Sequence, residues 1–245
     1  MIPKIIHYCW VGGKLNPLGE VCLASWEKFC PGWTIKEWNE DNIPMKVFPY
    51  LLQAYENKKY ANVSNFVRLY AIYNEGGIYL DTDVELIKNL DPFLKESCFF
   101  AFHTPPTSPG TVNDAIMGAV KYHPFIKEMI EEYLLRFDGL EKAHLSSPLL
   151  ITDLLRRKGL DVNELEDVET VRVGDIAIFP KRYFHPYRWN EQFTSECVKP
   201  DTYGIHRFAF NWGPKEKKIT LSKIVKILKK IYRDIIRTFS WSREK

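Results

Sequence analysis

Between Tyr60 and Leu86 the chain runs from a helical pattern through two glycines and a short apolar stretch into two acids one residue apart, YANVSNFVRLYAIYNEGGIYLDTDVEL. Val63, Phe66, Val67, Tyr70, Ala71 and Asn74 recur at i, i+3, i+4 and i+7, so that face packs inward, with Ser64, Asn65 and Arg68 as a polar stripe beside it. Gly76 and Gly77 can end the helix by adopting left-handed backbone angles. Ile78 to Leu80 then reads as a central strand, apolar throughout and too short to alternate. A helix feeding a buried strand in this way belongs to an α/β sheet. Asp81 and Asp83 fall at the strand's carboxyl end, where ligands bind in open sheets of that class.

The rest of the chain follows the same alternation. KIIHYCWVGG is a short buried strand closed by Gly12 and Gly13, LGEVCLASWEKFC is a helix stopped by Pro31 and Gly32, and WTIKEWN is a second strand. A helix is expected from Val47 to Asn57 and a strand over residues 98–102. A Pro-, Thr- and Ser-rich loop, residues 103–111, suits a mobile or substrate-facing segment. Helical patterns return at residues 115–120, 124–137 and 149–158, and short strands at 170–173, 176–179 and 202–208. With 245 residues, 45% of them hydrophobic, the chain can bury one sizeable core. Residues 1–214 are read as one α/β domain and 215–245 as a separate C-terminal helix.

Two carboxylates at i and i+2 repel each other, and folding stability alone gives no reason to place them together. A divalent cation removes the repulsion. Hard cations such as Mn²⁺ or Mg²⁺ take oxygen ligands and share them with substrate phosphates. In an extended segment Asp81 and Asp83 point to the same side, so one can take the metal while the other reaches a hydroxyl. A bare DxD is also compatible with a solvated turn, and it is the surrounding block that gives it weight.

That block, Ala61 to Leu94, closely resembles the sugar-binding and DxD region of glycosyltransferase family 32, and it is similar to the glucosyltransferase domains of large clostridial cytotoxins. IPKIIHYCWVGG, NDAIMGAVKYHPF and YGIHRFAFNW are similar to other blocks of the same family. The resemblance spans residues 1–214, and its most specific part is the linked pattern Arg68, Gly76, Gly77, Asp81, Asp83. It implies a GT-A architecture, Rossmann-like with a mainly parallel sheet, and a retaining transfer from a nucleotide-sugar donor, with UDP as the expected nucleotide. It also implies a divalent metal.

By the same resemblance Trp10 stacks on the nucleotide base, with the backbone of Cys9 reading the base edge; a core or rim tryptophan is the structural alternative. Arg68 and Asn65 match an Arg and Asp that contact sugar hydroxyls and phosphates, and the amide in place of the acid points to altered sugar recognition. Asn113 and Asp114 match positions lining the donor pocket, although a helix N-cap is an equally natural role. Asp83 is expected to bind the metal and Asp81 to hold ribose or sugar hydroxyls with partial metal contact. The ligand set is completed by His206 or by Asn211, and Trp212 beside it matches a donor-binding tryptophan. The catalytic group is thus Asp81, Asp83 and Arg68. The other histidines show no ligand spacing.

Charge separates the tail from the rest. Residues 215–245 carry eleven Lys and Arg against three acids, which leaves 23 against 28, net −5, for residues 1–214. From Ile219 onward Leu221, Ile224, Val225, Leu228, Ile231, Tyr232, Ile235 and Phe239 share one helical face. Such a basic amphipathic helix suits an anionic membrane interface; packing on the core or at a dimer seam is the alternative. Five cysteines with no CxxC pair suggest neither a disulfide framework nor a zinc ribbon. The opening MIPKIIHYCW turns polar too early for a signal peptide, and no run reaches the ~20 apolar residues of a membrane span. The expectation is a cytoplasmic enzyme held at the inner face of the cell membrane, acting on a lipid-linked glycan of capsule, O-antigen or exopolysaccharide synthesis and binding no nucleic acid. A toxin-like transferase acting on protein, a non-catalytic sugar-binding scaffold and a nucleotidyltransferase are the competing readings.

Overall fold

A computed structural model describes residues 1–103, 111–161 and 169–209 of the chain. The described residues fall in one compact unit, Met1–Ala209. In chain order the elements are β1 (Ile5–Cys9), α1 (Pro17–Phe29), β2 (Thr34–Trp38), α2 (Pro49–Glu56), α3 (Tyr60–Glu75), β3 (Gly77–Leu80) and β4 (Val84–Leu86). They continue with β5 (Cys98–His103), β6 (Thr111–Ala119), α4 (Pro124–Arg136), α5 (Ala143–Arg157), β7 (Val171–Val173), β8 (Ile176–Phe179) and β9 (Gly204–His206). The expected basic helix, Asn211 and Trp212 lie outside the described residues.

Seven strands form one sheet in the order β2-β1-β3-β6-β5-β8-β7. β1 is parallel to β2 and β3, and β5 is parallel to β8, while β6 runs against both β3 and β5 and β7 runs against β8. Five strands therefore share one direction, as a Rossmann-like reading requires. Side chains alternate between two apolar layers. Tyr79, Cys98, Phe100 and Phe102 join α2 to α5 on one face, and Ile78, Leu80, Phe99 and Ala101 join Trp26 of α1 on the other. Burial on both faces explains why the central strands are apolar throughout.

The glycines between α3 and β3 answer to crowding. Gly77 has φ +110, and a Cβ there would sit 2.7 Å from the carbonyl oxygen of Ile5 and 3.0 Å from His7 Nε2. His7 closes the same corner: its Nδ1 faces the Trp38 indole N–H at 3.1 Å, so Nε2 carries the proton and donates to the carbonyl of Gly76 at 2.8 Å. Burial pushes the pKa of this imidazole down, in keeping with a neutral structural role.

Two expectations are corrected. Residues 115–120 are not helical: 115–119 belong to β6, where all five are buried, and Val120 follows the strand. A continuous apolar run has no period that separates helix from strand, and neighbours on both sides decide it. The N-cap reading of Asn113 and Asp114 falls with the helix. The second correction concerns Asp81 to Val84, which form not an extended segment but a turn closed by the Val84 N–H on the Asp81 carbonyl at 3.0 Å. The chain then enters β4, which pairs antiparallel with β9 and sets Val84 opposite His206. Among the described residues no helix is long and apolar enough to cross a membrane.

Candidate active site

The carboxyl end of β3 carries the acids, and three separate elements bring groups to meet them. The Asp81 N–H bonds to the Ala115 carbonyl of β6 at 2.8 Å, which fixes where the turn begins. Pairing of β4 with β9 then carries His206 beside Asp83, with Nε2 to Oδ1 at 3.2 Å. The other Asp83 oxygen accepts the Ala209 N–H at 2.8 Å, and the Asp83 carbonyl accepts the Arg207 N–H at 2.8 Å. One ligand atom from each of Asp81, Asp83 and His206 lies within 4.8 Å of the others, a grouping found nowhere else among the described residues.

α3 supplies the cation of the site. Arg68 is buried, and its guanidinium donates to Asp81 Oδ1 at 2.8 Å and to Asp114 Oδ1 at 2.9 Å. It also lies over the ring of Tyr79, 5.0 Å from the centroid. The second oxygen of Asp114 accepts the hydroxyl of Ser147. Asp114, only 2% exposed at its side chain, therefore stands behind Arg68 and orients it. Burial works against the guanidinium charge, but Asp114 and Asp81 outweigh it and raise the pKa, so Arg68 stays a fixed positive charge.

Burial and the neighbouring charge of Asp83 raise Asp81 to about 6 against the pull of Arg68. Asp83 moves the other way: burial opposes its charge, but His206 and the Ala209 N–H hold it below the ordinary carboxylate range. His206 is raised in return, since Asp83 outweighs the burial that would keep the ring neutral. Arg68 and His206 together offset the two acids only in part, since Asp81 still sits above the ordinary carboxylate range. Two carboxylates and an imidazole converging on one point make a donor set that fits Mn²⁺, or Mg²⁺ with less use for the nitrogen. The buried Arg68 Nε and His206 Nδ1, which lack hydrogen-bond partners among the described residues, fit a site built around a further polar group.

The remaining expected residues divide. Trp10 is half-buried, and its indole N–H donates to the Gly13 carbonyl at 2.9 Å, so its ring is held by its own loop. Cys9 is buried at the end of β1, with its thiol pKa pushed up by burial. Asn65 turns its amide toward α5, donating to the Ala143 carbonyl at 3.0 Å and lying 3.4 Å from the Ser146 hydroxyl. Asn113 accepts the Ala115 N–H at 2.8 Å and shapes the start of the β6 segment beside Asp81.

Two groups escaped sequence reasoning. Glu40 accepts the Gly12 N–H at 2.7 Å and the Tyr55 hydroxyl at 3.1 Å, clamping the loop that carries Trp10. His185 packs its ring 5.3 Å from that of His206 and 5.4 Å from that of His103. Burial holds His185 neutral and lowers His103 to about 4. Neither carries a motif, since both matter only through residues distant in sequence.

This scaffold, with acids at the rim of a mainly parallel sheet, defines the GT-A class of sugar transferases. Residues 20–100 match the glycosyltransferase sugar-binding region containing the DXD motif, and residues 118–232 match the alpha 1,4-glycosyltransferase conserved region. Inositol phosphoceramide mannosyltransferase 3 of Schizosaccharomyces pombe is 32% identical over 142 residues, 53% of this chain and 36% of that protein. The uncharacterized glycosyltransferase L373 of Acanthamoeba polyphaga mimivirus is 25% identical over 228 residues, 89% of this chain and 86% of that protein. The solved PaToxG glycosyltransferase shares the fold with a TM-score of 0.52 at 18% identity, over 64% of this chain and 70% of that one. The chain thus carries the DXD-containing sugar-binding region of glycosyltransferases, and it spans only about a third of the yeast relative's length.

Proposed function

We propose that the chain transfers a sugar, with retention of configuration, from a nucleotide-sugar donor, UDP-linked, to a lipid-linked glycan acceptor in a divalent-cation-dependent reaction. The observation that carries this reading is the convergence of Asp81, Asp83 and His206 beside the buried Arg68. Asp83 and His206 would hold the cation, with partial contact from Asp81. Once bound, the cation offsets the charge that builds on the departing nucleotide diphosphate.

Arg68, kept charged and oriented by Asp114, supplies a fixed donor for sugar or phosphate oxygens without reorganising during the reaction. Asp81 orients Arg68 and accepts from ribose or sugar hydroxyls. Trp10 presents a flat ring next to the Gly12–Gly13 turn for the base, with the Cys9 backbone reading its edge. By the family resemblance Asn65 and Asn113 would line the donor pocket and bear on sugar choice, with Asn65 held in place by the Ala143 carbonyl of α5. Asn211 and Trp212, which lie outside the described residues, keep the roles that the sequence resemblance gives them, a metal ligand and a donor-binding tryptophan.

An acceptor carried on lipid is supported by the yeast relative's name, which places its mannosyl transfer on inositol phosphoceramide. It is supported too by the basic face of residues 219–245, which suits the cytoplasmic side of a membrane. Surface glycans of the capsule or lipopolysaccharide type are the fitting products. An effector reading draws on one relative, the subversion of eukaryotic traffic protein A of Legionella pneumophila, 31% identical over 143 residues but over only 21% of that protein.

The test is hydrolysis of a panel of nucleotide sugars with and without Mn²⁺. At least one donor should be turned over in a metal-dependent way, and Asp83→Ala should lower that rate by at least about 100-fold. Turnover of no donor, or full activity in Asp83→Ala, would overturn the reading.

A further inference from the structure

Phe208, two residues beyond His206, holds φ +49. The left-handed region is unfavourable for a bulky residue with a Cβ, and such a residue stays there only where its surroundings fix it.

The bend comes where the β4–β9 ladder ends. Val84 pairs with His206, and one step further the Arg207 N–H still donates to the Asp83 carbonyl at 2.8 Å. An extended chain would carry the next inward amide, that of Ala209, toward Asp81. No strand partner waits there, because Asp81 opens a turn and its carbonyl already accepts the Val84 N–H. Phe208 bends the backbone instead, and the Ala209 N–H donates to the Asp83 side chain, at Oδ2, at 2.8 Å. With that oxygen taken, Oδ1 is left facing His206 Nε2 at 3.2 Å.

The ring of Phe208 supplies what holds the bend. It is half-buried, with its centroid 4.3 Å from that of His206, 5.4 Å from Tyr187 and 5.6 Å from His103. These contacts offset the backbone strain. They also steady His206, whose Nδ1 has no hydrogen-bond partner among the described residues. A metal-binding imidazole is usually oriented by a hydrogen bond from its second nitrogen, and here ring packing takes that part.

We propose that Phe208 is a positioning residue for the metal centre: its left-handed backbone clips Asp83 through the Ala209 amide, so that Asp83 Oδ1 and His206 Nε2 converge before the cation arrives. This rests on the divalent-cation part of the proposed function. Ligands ordered in advance bind more tightly, because binding no longer has to order them.

Glycine and alanine at position 208 separate the clip from simple packing. Both remove the ring and glycine removes one atom more, so a packing role ranks Phe208→Gly no better than Phe208→Ala. Glycine adopts the left-handed region freely, whereas alanine does not. In the metal-free full chain, hydrogen exchange of the Ala209 amide should stay within about threefold of the unsubstituted rate in Phe208→Gly and quicken at least about tenfold in Phe208→Ala. Mn²⁺ affinity, titrated by electron paramagnetic resonance with UDP present, should fall about tenfold or more in Phe208→Ala and no more than about threefold in Phe208→Gly. Phe208→Asn, which also tolerates the left-handed region, should group with glycine. If Phe208→Ala does not fold, Phe208→Leu takes its place and should likewise bind Mn²⁺ less tightly than Phe208→Gly. Equal Ala209 exchange in the two variants, or Mn²⁺ affinity that fails to rank glycine above alanine, overturns the clip. Absence of Mn²⁺ binding to the unsubstituted protein, with Ala209 exchange still ranked as expected, overturns the proposed function and the positioning role with it.

Discussion

Asp81 and Asp83 have the same side chain, yet their surroundings push them apart. Burial and the charge of Asp83 raise Asp81 to about 6, while His206 and the Ala209 N–H lower Asp83. A proton on Asp81 or on His206 competes with a cation for the same atoms. As pH rises, Asp81 loses its proton near 6, and His206, raised by Asp83, loses its own only above its ordinary range. Mn²⁺ affinity, followed by calorimetry, should therefore strengthen as pH climbs from about 5 to 8 and release protons on binding. Asp114 makes a different demand. It is the buried partner of Arg68, and Asp114→Ala leaves that charge with Asp81 alone. The variant should lose about 3–5 kcal/mol of stability in urea melts, whereas Asp83→Ala should fail in turnover while remaining folded. Sequence reasoning named both aspartates, but it had no means of separating the one that faces the ligand from the one that orients Arg68. Only the Arg68 and Ser147 contacts make that distinction.

The loop after β1 shows how one element is held by others. Gly12 has φ +87, and a Cβ on it would lie 2.3 Å from the Tyr60 ring at the start of α3. Its positive φ and the packed ring of Tyr60 both call for glycine, and neither is visible in the sequence, which shows only two glycines closing a strand. Glu40, between β2 and α2, then bonds the Gly12 N–H. Glu40→Ala should free the loop that carries Trp10 and weaken donor binding by about 1 kcal/mol, roughly fivefold in Kd, with kcat nearly unchanged. A titration with UDP checks it. Helices α1 to α4 and strands β1, β2, β3, β5, β7 and β8 were legible because their periodicity or turn residues are local. β6 was not, because its apolar run fits either period. β4 was also missed: three residues after a turn carry no signal until β9 arrives to pair with them.

For the whole chain, the acidic balance of residues 1–214 against the basic tail predicts opposite behaviour of the two parts at a charged surface. The full protein should sediment with anionic vesicles, and removal of residues 219–245 should abolish this, as each basic residue near such a surface contributes about 1 kcal/mol. Sedimentation that survives the deletion would assign the attachment elsewhere. The deletion should leave metal-dependent donor hydrolysis intact if the tail serves only to localise the enzyme.

From its residues alone the chain specified an α/β sheet with two acids at a strand end, an arginine helix leading into it and a basic tail, because hydrophobic period, glycine placement and charge are properties of neighbours along the chain. Tertiary structure alone decided that His206 meets Asp83 and that Asp114 stands behind Arg68. Those contacts join residues separated by tens to more than a hundred positions, and they come into being only when strand pairing and core packing close the intervening chain.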